Sequence, residues 1–155
     1  RGLSFFMIRV DRAGQVSKRF AGASQAELAQ SERTCPLWSL HRSFSDPGKL
    51  QVQLLQTQDD SVWVTLSRTV QGAGYGSSGT GPEFAIGLGV SVEQATALCY
   101  TRGMNLDPSV AVGIGPGCIA CRRADCPQRS KPPAGLPLRF DERERGVAPF
   151  DFASD

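Results

Sequence analysis

Three cysteines stand close together in a stretch that has no apolar periodicity of its own. The run Gly115-Pro116-Gly117-Cys118-Ile119-Ala120-Cys121-Arg122-Arg123-Ala124-Asp125-Cys126-Pro127 is followed by Pro132, Pro133, Pro137 and Pro149. Prolines at that density interrupt helices and central strands alike. Such a segment cannot form a hydrophobic core alone, so something other than apolar burial must order residues 108–155. The two residues between Cys118 and Cys121 let both sulfurs converge on one point, and the longer gap carries the chain round to Cys126. This spacing reads as a metal-binding loop.

A fourth ligand must come from elsewhere, and Cys35 is the best placed. It precedes Pro36 as Cys126 precedes Pro127, which puts both at the start of a turn or helix, where free N–H groups and the helix dipole stabilise a thiolate. Cys99 instead falls on the apolar stripe of a helix expected after Ser91, where a small buried hydrophobe is the simpler account. Disulfides are disfavoured because the count of five cysteines is odd and nothing else points to an oxidising compartment. Zinc held by four cysteines is an alternative, although its usual pattern supplies a second close pair. An iron-sulfur cluster fits three clustered thiols, one remote thiol and the Cys-Pro punctuation. Spacing favours iron-sulfur and leaves both metals open. Arg122, Arg123 and Arg129 lie near in sequence to offset the negative charge of a thiolate-bound cluster, and Gly115 and Gly117 let backbone N–H groups turn toward sulfur. A solvated surface loop is the competing account of these arginines.

The remainder of the chain reads as strands and short helices. At 155 residues it is long enough to bury a core without a disulfide scaffold. Residues 3–10 and 15–20 flank an Asp11-Arg12-Ala13-Gly14 turn and predict a hairpin. Residues 49–58 and 62–70 repeat the arrangement around Asp59-Asp60-Ser61, with Val62, Val64 and Leu66 alternating against Trp63, Thr65 and Ser67. After a glycine- and serine-rich stretch, 72–81, residues 84–90 supply a fifth strand. Ser91 and Gln94 match a capping box, Val92, Ala95, Leu98 and Cys99 recur at helical spacing, and Gly103 stands where a left-handed residue ends a helix. A second helix starts at Pro36 and carries Leu37, Leu40, His41 and Phe44 on one face up to Asp46-Pro47-Gly48. A short third helix is predicted over 25–32. The expected fold class is α+β, an antiparallel sheet of about five strands with a few short helices, of the kind found in PAS- and GAF-like sensors by fold-level analogy. Residues 1–155 form one regulatory domain in this reading, with an α+β portion over 1–107 and a cluster-binding, Cys- and Pro-rich segment over 108–155. The start at Arg1, with strand-like sequence following at once, suggests one domain of a larger polypeptide.

Several function classes are disfavoured. The net charge is only +2 with no block of Lys and Arg, so this portion is not expected to grip a nucleic-acid backbone. No apolar run approaches the roughly twenty residues that span a bilayer; the expected location is cytoplasmic, without membrane contact. Gly74-Tyr75-Gly76-Ser77-Ser78-Gly79 formally matches a dinucleotide fingerprint, but Gly81-Pro82 follows where a helix should open. His41, the one histidine, is expected to be packed or hydrogen-bonded and not a ligand. With no Gly-x-Ser-x-Gly and no paired acids, the chain is expected to be no enzyme and to have no catalytic residue.

Thr34-Cys35-Pro36-Leu37-Trp38, Phe84-Ala85-Ile86-Gly87-Leu88-Gly89, and Ile114-Gly115-Pro116-Gly117-Cys118 through Cys126-Pro127-Gln128-Arg129 together resemble the C-terminal domain of the short-chain fatty-acyl transcriptional regulators of actinobacteria. The likeness runs across most of the chain. It implies a transcription factor of propionate or glyoxylate metabolism with an N-terminal helix-turn-helix and a central domain related to the ImmA/IrrE metallopeptidase-like family. DNA would be contacted through that helix-turn-helix and not through this portion. It further implies that the C-terminal domain binds a [4Fe-4S] cluster, on Cys35, Cys118, Cys121 and Cys126, and responds to acyl-CoA. Val90 departs from a pattern in which some relatives would carry cysteine. Binding coenzyme A or acyl-CoA calls for cations and an apolar groove; Arg9, Lys18, Arg19 and Arg68 are available, and none is assigned. A homodimer is compatible with this reading. The alternative is a domain merely stapled by zinc or iron-sulfur, with no sensing role of its own.

Overall fold

In a computed structural model of the chain, the described residues are 2–22, 26–72, 81–140, 143 and 150–152. Strand β1 (Phe6–Val10) buries Phe6, Ile8 and Val10 and leaves Met7 and Arg9 half-buried on the other face, the period-two pattern of a sheet with one face on a core. The chain reverses at the predicted turn, where the Asp11 carboxylate accepts from the Gln15 N–H at 2.9 Å and Gly14 takes a φ of 76°. Strand β2 (Val16–Ala21) then pairs antiparallel with β1, with a register shift between Arg9 and Val10. Strands β3 (Gln51–Gln56) and β4 (Val62–Gln71) form the second hairpin, turning through Asp60 at a φ of 62°. Strand β5 (Glu83–Ser91) lies between β4 and β1.

The sheet has a sixth strand that the hydrophobic pattern did not predict. Its order is β2-β1-β5-β4-β3-β6, where β6 (Val112–Gly113) pairs parallel with β3. The sheet is therefore mixed rather than purely antiparallel. Two residues are too few to carry a period, and β6 is ordered by its neighbours: the Ile114 N–H continues the ladder to the Gln56 carbonyl at 2.9 Å, and Ile114 is fully buried in the main core. A separate pair, β7 (Leu138–Arg139) with β8 (Asp151–Phe152), lies near the C-terminus.

The helices are shorter than their apolar spacing predicts: α1 is Glu27–Gln30, α2 is Ser39–Arg42 and α3 is Val92–Ala95. At α2 the Gln53 side chain accepts from the Ser39 N–H at 2.6 Å and donates to the Leu37 carbonyl at 3.2 Å, so a β3 residue takes up the helix-end groups that another turn would have used. After α3 the Thr101 hydroxyl bonds the carbonyls of Ala95 and Leu98 at 2.8 and 2.9 Å and folds the chain into a 3-10 turn, Cys99–Thr101. Cys99 begins that turn and is exposed, a correction to its expected burial on a helix. Gly103 is left-handed, with φ of 79°, as predicted.

One core lies between a sheet face and the segments that carry α1 and α2. Phe6 meets Trp38 and Trp63 edge to face, with centroids 6.3 and 5.4 Å apart, geometries favoured by the ring quadrupoles. The Ala85-x-Gly87-x-Gly89 alternation in β5 makes room for these rings: a Cβ on Gly87 would lie 2.9 Å from the Trp38 ring, and one on Gly89 would overlap Phe6. The Trp38 indole N–H donates to the Thr65 hydroxyl at 3.1 Å. On the opposite face Leu54, Val64, Ala95 and Val90 form a second cluster, so Val90 serves as packing. Residues 73–80, which hold the formal dinucleotide fingerprint, and Pro149 lie outside the described residues. Among the described residues no helix is long and apolar enough to cross a membrane.

Candidate metal centre

Strand β6 delivers the cysteine loop to the edge of the main core, beside Cys35. The loop turns at Gly117, whose φ of 101° suits glycine and whose carbonyl accepts from the N–H groups of Ala120 and Cys121 at 3.1 and 2.9 Å. Cys35 is buried and its carbonyl accepts from the Trp38 N–H at 3.1 Å. Its sulfur faces the backbone N–H groups of Gly115 and Leu37 and lies within electrostatic reach of Cys121 and Cys126. Gly115 is where the two segments close on each other: a Cβ there would lie 2.5 Å from the Cys121 sulfur. Cys35 and Cys121 thus approach Gly115 from distant parts of the sequence, with Cys126 within electrostatic reach of Cys35.

Cys118 stands apart from this trio. It is half-buried and its sulfur is 3.5 Å from the Ser130 hydroxyl. Among the described residues no three Cys, His, Asp or Glu side chains are grouped tightly enough to hold a metal ion.

The thiols differ in acidity for physical reasons. Burial is the largest influence on Cys35 and pushes it above the ordinary thiol value; the Gly115 and Leu37 N–H groups act against that, and repulsion from Cys121 and Cys126 adds to it. At Cys118 burial again raises, but hydrogen bonds from Ser130 and Lys131 and the charge of Arg129 together outweigh it, and the thiol is pulled down. Burial holds His41 below the ordinary histidine range, and its Nε2 lies 2.8 Å from the Thr34 hydroxyl. This is the packed, hydrogen-bonded histidine expected.

Two of the three arginines are not surface charges. Arg123 donates to the carbonyls of Ile114 at 3.1 Å and of Gln56 and Thr57 at 2.9 Å, fastening the loop to the β3 end of the sheet. Arg129 is only 4% exposed. Its guanidinium donates to the carbonyls of Cys118, Lys131, Cys121 and Arg123, while its Nε has no partner. No carboxylate faces it among the described residues. A buried cation without a counter-ion is unfavourable unless an anion lies close by. Arg122 remains exposed, and its backbone N–H meets the Gln58 side chain at 2.5 Å, which in turn reaches Glu27 at 3.2 Å. That Gln58–Glu27 connection had no signature in the sequence.

The donor set fits an anionic inorganic centre. The Cys121 sulfur crowds Gly115, whose N–H faces the Cys35 sulfur, Cys126 lies within electrostatic reach of Cys35, Cys118 lies on the same loop, and a buried arginine without a carboxylate sits among the loop carbonyls. Cys35, Cys118, Cys121 and Cys126 are the residues that would hold it.

Comparison with known proteins bears on what this arrangement serves. Residues 1–150 match the family described as "Short-chain fatty acyl coenzyme A regulator, C-terminal". The chain is 42% identical over 155 residues to the HTH-type transcriptional regulator RamB of Mycobacterium tuberculosis, covering 97% of this chain and 32% of that protein. It is 40% identical over 151 residues to the propionyl-CoA carboxylase regulator of Cereibacter sphaeroides, covering 97% and 32%. The HTH-type regulator PrpR of M. tuberculosis is 35% identical, with 97% and 31% covered. The chain therefore spans about a third of the length of these relatives. A solved M. tuberculosis transcriptional regulator superposes with a TM-score of 0.88 at 36% identity, covering 96% of this chain and 45% of that one.

Proposed function

The chain belongs to the short-chain fatty acyl coenzyme A regulators, as their C-terminal domain, and from that premise we propose that it is the regulatory part of a transcription factor of short-chain fatty acid metabolism, holding a [4Fe-4S] cluster on Cys35, Cys118, Cys121 and Cys126. Its relatives are transcriptional regulators rather than enzymes. DNA would be bound by another domain of the same polypeptide, and acyl-CoA would be the metabolic signal. The strand order of β1 to β5 supports the comparison with PAS and GAF sensors.

The observation that carries the proposal is Arg129, a buried cation whose neighbours are the cysteine-loop carbonyls and whose Nε has no partner. A cluster with four thiolates carries net negative charge and supplies a centre that oxidation can dismantle. This chain's own residues do the rest. Gly115 and Leu37 present N–H groups to the Cys35 sulfur, and Arg123 ties the loop to the sheet. Losing the four bonds to sulfur would shift the local folding equilibrium of residues 108–152, and a DNA-binding domain with two arrangements can respond to that shift.

The test is operator binding by the full-length protein, prepared without air, before and after oxidative removal of the metal and with or without propionyl-CoA. A change of affinity on metal removal supports a sensing role. Unchanged affinity in all four states favours the alternative of a purely structural staple.

A further inference from the structure

We propose that the uncovered part of the second sheet face is the docking surface for an acidic, amphipathic segment of the same polypeptide, from the portion that precedes the matched domain in its relatives. Residues paired directly across antiparallel strands share a face. The register places Phe20 opposite Met7, Met7 opposite Leu88 and Leu88 opposite Leu66, an apolar row across β2, β1, β5 and β4. Phe20 is 51% and Leu88 37% exposed. One end of this face is covered, where Ala95 of α3 packs with Leu54, Val64 and Val90; the row from Phe20 to Leu66 lies beyond that cover. A contiguous apolar row open to water marks a contact site.

The next row sets the charge of the partner. Lys18 stands opposite Arg9, Arg9 opposite Ile86 and Ile86 opposite Arg68, and no Asp or Glu occupies a paired position on this face. Arg9 is held by its own sheet, donating to the Ser17 hydroxyl at 3.0 Å and lying 4.3 Å from the Phe84 ring centroid. Lys18 and Arg68 are exposed and have no ion-pair partner among the described residues. A second copy of this face would set cations against cations, which like-charge repulsion disfavours. A helix whose apolar stripe is flanked by Asp and Glu matches both rows.

The path of the chain supplies the source. Phe5 follows the alternation onto this face and packs its ring on Phe20, with centroids 5.5 Å apart. The Phe5 carbonyl accepts from the Gly22 N–H at 3.1 Å, and the Ser4 N–H donates to the Gln94 side chain of α3 at 3.1 Å. Residues 4 and 5 are therefore fixed at the edge of the open rows, on the side of the sheet that carries α3. In the relatives the matched portion is a C-terminal third of the polypeptide, so the preceding chain enters beside this surface. A segment tethered there meets it at high effective concentration. The inference does not depend on the cysteines holding metal.

The experiment places the photo-crosslinking residue benzoylphenylalanine at position 88 of the full-length protein, irradiates it, and identifies the attached peptide by mass spectrometry. The expected product is a monomer-sized chain in which position 88 is joined to a preceding segment with apolar residues at helical spacing and an excess of Asp and Glu. Its yield should fall severalfold in Lys18→Glu/Arg68→Glu and stay unchanged in Arg42→Glu, an exposed charge on α2 across the sheet. Lys18→Gln/Arg68→Gln, which removes the charges without reversing them, should lose yield to a smaller extent, so that misfolding of the reversed variant is not mistaken for lost attraction. A dimer-sized product joined to a second copy, a product joined only within residues 1–155 or to another protein, no product, or a yield unchanged by charge reversal would overturn the proposal.

Discussion

The guanidinium of Arg129 lies over the ring of Phe152, 4.8 Å from its centroid. The same group donates to the carbonyls of Cys118 and Cys121, so one buried side chain joins the cysteine loop to the last strand described. Order in the C-terminal pair and order in the loop are therefore coupled.

Replacing Phe152 by Ala removes a ring that is 3% exposed together with its cation–π contact. A buried Phe→Ala change costs about 3–5 kcal/mol, and a two-stranded ribbon cannot absorb that loss. The amides of Leu138 and Arg139 should exchange with solvent far faster in the variant, while those of β4 and β5 keep their protection. Unchanged exchange at Leu138 would show that the ribbon is held by something else.

Gly115→Ala should disrupt the metal site without unfolding the sheet. The added methyl would lie 2.5 Å from the Cys121 sulfur and 2.9 Å from its Cβ, so the loop must move away from Cys35. Overpacking of this kind costs about 1–3 kcal/mol. Metal content should fall severalfold, with the far-ultraviolet spectrum preserved. Gly2→Ala, with open space around it, should leave the metal content at its original level.

Much of this architecture could be read before any coordinates. The hairpin of residues 3–10 and 15–20, the turns at Gly14 and Asp60, and Gly103 as a left-handed residue all follow from local rules, and the structure contains them. The parallel strand β6 was not legible, because Val112 and Gly113 become a strand only where β3 offers an edge. Helix lengths were overestimated because apolar spacing says nothing about Gln53 or Thr101 taking up the groups at the helix ends. At the site, the pairing of Cys35 with the distant cysteines was suggested by Cys-Pro punctuation. The interior position of Arg129 was hidden, since it depends on carbonyls that only the folded loop collects.

In the metal-free chain, thiol alkylation should separate Cys118 from Cys35. A thiol whose acidity is enhanced by Ser130, Lys131 and Arg129 against the effect of burial becomes thiolate at lower pH than one raised by burial, and thiolate is the reactive form. Iodoacetamide labelling followed by mass spectrometry should show Cys118 reacting well before Cys35, with its rate levelling off at lower pH. Faster labelling of Cys35 would contradict the burial and hydrogen bonding assigned to both.

Acid should weaken the fold through His41. Its pKa in the folded chain is lowered by burial, so below the unfolded value of about 6.5 the unfolded chain binds a proton that the folded chain does not. Stability then rises with pH in that window, and it is lost as pH falls from about 6.5 toward the lowered folded value. The urea midpoint should drop between pH 7 and pH 5 by more in the parent than in His41→Gln. Equal drops would remove His41 as the cause.

The central claim is that Cys35 and the three loop cysteines share one iron-sulfur centre. Its most direct test is the iron, acid-labile sulfide and zinc content of protein prepared without air, compared with Cys118→Ser and Cys99→Ala. The account predicts about four iron and about four sulfide per chain, lost in Cys118→Ser and retained in Cys99→Ala. One zinc per chain without sulfide, or a full complement of iron and sulfide in Cys118→Ser, would contradict it.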